Sequence, residues 1–185
     1  AHGVPGRDEF RLDPTVRHLN HGSFGAVPSR TIDYRARLTE RLETNPFRWF
    51  DELAPRHAAL RAAIAGFVGA PANEIAMVAN ASAAASAVFA SIPLRPLDEV
   101  LITDHIYGSV AMGARRYARQ WGAVVRTAAV PLAARSHETL ATILDAVTDR
   151  TRIVIVDHIS SATARRFPVL ELVDSAHLLP ELVDP

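Results

Sequence analysis

The sequence predicts an α/β fold in three layers, a mostly parallel sheet flanked by helices. From residue 74 onward, short apolar runs alternate with helical stretches, the order that parallel strands joined by helical crossovers require. The run Arg152–Asp157 (Arg-Ile-Val-Ile-Val-Asp) is continuously apolar, as in strands buried on both faces. With 185 residues, 49% of them hydrophobic and 22% charged, the chain can bury a genuine core.

Phe10 to Pro28 reads as an extended arm with turns, centred on Leu19-Asn20-His21-Gly22-Ser23-Phe24-Gly25. A helix follows over Ser29–Leu42, with Ile32, Arg35, Leu38 and Leu42 along one side. Pro46–Phe50 reads as an aromatic linker. Pro55 suits the first turn of a second helix, whose stripe of Leu60, Ile64, Phe67 and Val68 ends at Gly69. Glu74–Asn80 is expected as a strand and Ser82–Ser91 as a helix of small residues. Glu99–Thr103 is the next strand, and Gly108–Trp121 a helix closed by Gly122. Ala123–Val130 is a strand, Ser136–Val147 a helix facing the core with Leu140, Ile143, Leu144 and Val147, and Arg152–Asp157 the last clear strand.

Twenty acidic side chains balance twenty basic ones, so charge argues for neither nucleic acid nor an anionic membrane as partner. The absence of cysteine excludes disulfides, thiolate metal sites and a cysteine nucleophile. No apolar run approaches membrane-spanning length, residues 1–8 lack a signal-peptide core, and a cytoplasmic protein is expected. All twenty basic residues are arginine.

In open parallel sheets, ligands bind beyond the carboxyl ends of the strands. That rule selects Asn80-Ala81-Ser82, Asp104-His105-Ile106-Tyr107 and Asp157-His158-Ile159-Ser160-Ser161, three successive polar clusters at strand ends. Ala81 and Ser82, where a helix begins, can seat a phosphate on free amides and a hydroxyl; a plain helix cap is the equal alternative. An imidazole at His105 can lie against an aromatic ligand, and Tyr107 can do the same or bind a phosphate. Ser160 and Ser161 can donate to a phenolate-like oxygen. His18 and His21 have a metal-compatible spacing, but their surroundings are not helical and no carboxylate pattern joins them, so a metal site is rejected. No glycine fingerprint follows any strand, which disfavours dinucleotides and nucleoside triphosphates.

Taken in order, Leu19–Gly25, Val78-Ala79-Asn80-Ala81-Ser82-Ala83-Ala84, Asp104–Gly108 and Asp157–Ser161 resemble the class V aminotransferase family of fold-type-I pyridoxal phosphate enzymes, especially its isopenicillin N epimerase-like members. The resemblance runs over roughly residues 10 to 168. It implies pyridoxal 5′-phosphate as cofactor, an amino acid substrate, a homodimer, and chemistry of epimerisation or of C–S/β-elimination. It further implies that Ala81 and Ser82 hold the cofactor phosphate and that His105 stacks on the pyridine ring, with Tyr107 beside it. Ser160 would approach the phenolic oxygen, and Asn20, His21 and Gly22 would border the substrate. Residues 1–54 would form an arm and helix, and residues 55–185 part of the cofactor-binding large domain.

Val173-Asp174-Ser175-Ala176-His177 matches the family's strand motif, in which Asp174 would pair with the pyridine nitrogen and His177 would touch the phenolic oxygen. A parallel strand needs a crossover of a dozen or more residues, however, and only a loop separates Asp157 from Leu170. Alternatively, Pro168–His177 is itself a helix, with Val169, Leu172, Val173 and Ala176 at helical spacing and Asp174 facing solvent. Both readings stand on the sequence alone. A Schiff base to an aldehyde cofactor requires an amine that can lose its proton, and a guanidinium cannot supply one. The family's lysine segment and small C-terminal domain would follow residue 177, so the expectation is of an incomplete member, inactive by itself, with a non-catalytic binding or regulatory remnant as the rival.

Overall fold

The computed structural model describes residues 6–176. The chain divides into two compact units, Ala1–Met77 and Val78–Pro185.

In the first unit, an arm with a short 3-10 turn at Arg7–Glu9 precedes two helices, α1 (Ser29–Thr44) and α2 (Pro46–Val68). The expected linker at 46–50 is helical instead. Asn45 caps α2 by accepting from the Arg48 amide at 3.0 Å, and Pro46 takes the first position, where its missing N–H costs nothing. Pro55 then lies inside the helix, where it removes the amide that would bond the Asp51 carbonyl. Glu52 braces the same turns, accepting from Arg48 at 3.0 Å and Arg56 at 2.6 Å. α2 thus runs straight through residue 54, where a domain boundary was expected. Its Leu60, Phe67 and Val68 stripe is exposed.

The strand expected at 74–80 does not form. Ala72–Glu74 is a 3-10 turn, and residues 75–80 pair with no strand among the described residues. A strand exists only through its ladder, and apolar composition alone does not supply a partner.

The second unit builds the parallel sheet. Its elements are α3 (Ala81–Ser91), β1 (Glu99–Thr103), α4 (Gly108–Trp121), β2 (Val124–Ala128), α5 (Ser136–Asp145), β3 (Thr151–Ile155) and α6 (Val169–Ala176). The described strands lie in the order β2-β1-β3, all parallel, with Val100 beside Val125 and Ile153. Central β1 is buried along its whole length. Its side chains alternate between two cores. Val100 and Ile102 join Phe89, Leu94, Ala111, Ala114, Tyr117, Ala118 and Ile153 under α3 and α4. Leu101 joins Ala128, Val130, Ile143 and Phe167 on the other face, against which Val169 and Leu172 also pack. Burying each large aliphatic side chain of β1 stabilises the unit by about 1.5–3 kcal/mol.

α4 ends as its sequence predicts, with Gly122 left-handed at φ 68°. For residues 168–177 the helical reading holds: α6 occupies Val169–Ala176 and leaves Asp174 exposed on it. With Val169 and Leu172 already spent on the core face, an extended strand has no partner here. His177 lies outside the described residues.

Candidate functional site

Chain order and strand order together locate the site. From β1 the chain crosses to β2 on one side, and from β2 it returns to β3 on the other. At such a reversal the loops leave in opposite directions, opening a crevice at the carboxyl ends of the strands. The polar clusters after β1 and β3 meet there.

Two side chains bridge the crevice directly. The Asp157 carboxylate, after β3, accepts from the Tyr107 amide at 3.0 Å. His105, after β1, contacts the Thr163 hydroxyl at 3.3 Å through Nδ1. Its Nε2 donates to the Val130 carbonyl after β2 at 2.8 Å, so one imidazole touches the loops of all three strands. His105 is only 9% exposed and sets its edge against Phe167. Asp104 secures the β2 loop as well, accepting from the Val130 amide at 3.0 Å. Arg165 closes the outer side by donating to the carbonyls of Pro131, Leu132 and Ala134 and to the Thr139 hydroxyl.

Beside this hub, the N-termini of α3 and α4 converge. The Ser82 and Ser109 hydroxyls are 2.9 Å apart. Asn80 caps α3 with its side chain, accepting from the Ala83 amide at 2.9 Å. The amides of Ala81, Ser82, Gly108 and Ser109 make no hydrogen bond to the described residues. Four unused donors and two hydroxyls at two helix N-termini form a donor set suited to an anion with several oxygens. A Cβ placed on Gly108 would meet nothing within 4 Å, so the approach is open.

The sequence-predicted residues therefore separate into groups. Ala81, Ser82, His105, Tyr107 and Ser160 all belong to the second unit, on loops at the carboxyl ends of its strands or on a helix start beside them. Tyr107 is 51% exposed, whereas Ser160 is 1% exposed and spends its hydroxyl on Thr163 and the Arg165 amide. His158 is exposed. Asp174, on α6, makes no hydrogen bond or ion pair to the described residues. Asn20, His21 and Gly22 lie in the first unit, where Asn20 accepts from the Ser23 amide at 3.1 Å and His21 sits edge-on to His18 with 4.6 Å between ring centroids. Ser109, Thr163 and Arg165 escaped the sequence reading. Ser109 had a signal, since it opens a helix after a strand-end cluster; Thr163 and Arg165 sit mid-loop, where no periodicity marks them.

The sequence pattern of the aminotransferase class-V family matches residues 27–182. The chain belongs to that family. Among class-V relatives, the chain is 30% identical over 175 residues to isopenicillin N epimerase of Amycolatopsis lactamdurans, covering 92% of the chain and 44% of the relative. It is 32% identical over 174 residues to putative L-cysteine desulfhydrase 1 of Oryza sativa subsp. japonica, covering 85% of the chain and 36% of the relative. In fold it superposes on C-DES, a cystine C–S lyase solved as a mutant with glycine covalently linked to its PLP cofactor, with a TM-score of 0.84 at 22% identity. That match covers 92% of the chain and 45% of C-DES. The chain thus spans less than half the length of these class-V proteins.

Proposed function

We propose that this chain forms the phosphate-binding part of a pyridoxal 5′-phosphate enzyme that acts on an amino acid by epimerisation or by C–S/β-elimination. Family membership supports the cofactor, and relatives named as epimerase and desulfhydrase support the reaction classes. The observation that carries the reading is the paired helix start at Ser82 and Ser109, whose donor set fits a phosphate dianion. When bound, the cofactor supplies an electron sink that acidifies the substrate's α-proton.

The protein's part is to hold and orient. Ala81, Ser82, Gly108 and Ser109 grip the phosphate through amides and hydroxyls. Tyr107, half exposed two residues past His105, offers its ring or hydroxyl to the bound group. His105 and Ser160 work from behind, fixing the loops that carry those contacts. No lysine is present among the 185 residues, so this chain binds the cofactor non-covalently. Homodimer formation belongs to the same reading.

Equilibrium dialysis tests it. Pyridoxal phosphate and pyridoxine phosphate are expected to compete for one site, and pyridoxal without phosphate to compete at least tenfold more weakly. The double variant S82A/S109A removes two hydroxyl contacts and weakens pyridoxal phosphate binding by about 30- to 150-fold, at roughly 1–1.5 kcal/mol each. Equal affinity for pyridoxal with and without phosphate would overturn the reading.

A further inference from the structure

We infer that Thr163 is a positioning residue that, through a one-way chain of hydrogen bonds, fixes the neutral imidazole of His105 as the tautomer with its proton on Nε2. Each direction follows from what the atoms can do. The Val130 carbonyl only accepts, so His105 Nε2, at 2.8 Å, carries a proton and donates it. A neutral imidazole has one N–H, so Nδ1 accepts, and the Thr163 hydroxyl at 3.3 Å is the donor. With that proton spent, Thr163 Oγ1 accepts from the Ser160 hydroxyl at 2.5 Å. Ser160 Oγ in turn accepts from the Arg165 amide, a pure donor, at 3.1 Å. A carbonyl closes one end and an amide the other, so for the neutral ring only one direction satisfies every member.

A doubly protonated ring would leave the order undetermined: Nδ1–H would donate to Thr163 Oγ1, whose second lone pair can keep the Ser160 bond while exposed Thr163 gives its own proton to solvent. The one-way direction is therefore a property of the neutral ring. Asp104, whose Oδ1 lies 3.7 Å from Nε2, sits on the side where the proton already is. His105 joins the ends of β1, β2 and β3 in one orientation, and Thr163 is the residue that pins its second nitrogen.

This assignment stands on the loop geometry; only its consequence for ligand binding rests on the cofactor reading. Long-range ¹H–¹⁵N correlation spectra of the labelled full chain at neutral pH test it. The wild-type chain is expected to show His105 with a protonated Nε2 and an Nδ1 resonance shifted upfield by an incoming hydrogen bond. T163V should move that Nδ1 resonance downfield, and T163S should restore it, which a merely structural role would not do. An Nδ1–H or doubly protonated ring in the wild type, or an unmoved Nδ1 resonance in T163V, would overturn the assignment. Should T163V fail to fold, the wild-type spectrum still decides. Pyridoxal phosphate binding on the same samples separates the two claims: its absence beside the expected spectrum removes the functional reading and leaves the Thr163 assignment standing.

Discussion

Tyr117 shows how packing and polarity compete at one residue. Its ring is buried and lies near-parallel to Phe89 at 5.8 Å, while its hydroxyl is buried without a hydrogen-bond partner among the described residues. Burial pushes the phenol above its ordinary range, because the charged form would be the more costly to desolvate. Removing an unsatisfied buried hydroxyl while keeping the ring should cost nothing. Y117F is expected to be neutral or up to about 1 kcal/mol more stable in urea unfolding, and a loss of 1 kcal/mol or more would mean that the hydroxyl has a partner. Such details were not legible in the sequence. Periodicity places Tyr117 on the inner face of α4, but it cannot say whether a hydroxyl finds an acceptor. The same limit hid Thr163 and Arg165, whose partners come from loops 26 to 58 residues away.

At the scale of elements, the regular parts of the second unit were readable because each obeyed a single rule. β1 is an apolar run, α4 an amphipathic helix stopped by glycine, and α3 a capped stretch of small residues. The misplaced start of α2 and the open choice at 168–177 came where two rules compete. At α2, Pro55 argued for a helix start, yet Asn45 and Pro46 make a better one nine residues earlier. The charged braces on Glu52 then offset part of the interior proline's cost. P55A should restore the amide bond to the Asp51 carbonyl and stabilise the first unit by about 1–3 kcal/mol, with a gain in helical circular dichroism. Unchanged or lower stability would show that the proline is accommodated without cost. At 168–177 the strand and helix patterns overlap, and packing decided: a helix buries Val169 and Leu172 against Phe167 in eight residues, whereas a strand needs a neighbour.

Across the whole molecule, stability depends on acidity through a few carboxylates. Burial alone would raise Glu99, but bonds from the Thr148 hydroxyl and from Arg126 and Arg150 outweigh it and hold the carboxyl below its usual 4.5. Glu52 is held low chiefly by Arg56 and then Arg48, and Asp13 by the Thr15 hydroxyl and amide. A carboxylate with a depressed folded-state value contributes stability above its unfolded value, and that contribution is lost as pH falls through the folded value. The protein should therefore hold its stability at neutral pH and lose it below about pH 4.5. E99Q should cost about 1–3 kcal/mol at pH 7 and progressively less in acid, with an equal cost at pH 3 and pH 7 counting against the argument.

Glu99 fastens β1 to both its neighbours where the strands begin, and the loops at the opposite end are fastened chiefly to one another. The amides of Val130, Tyr107 and Arg165 each bond to a side chain that leaves a different strand or turn, namely Asp104, Asp157 and Ser160. The imidazole of His105 ties two of these loops together through the Val130 carbonyl and the Thr163 hydroxyl. The crevice is expected to behave in consequence as a small cooperative unit in hydrogen exchange, its amides opening to solvent deuterium together and at a rate separate from that of the sheet beneath it.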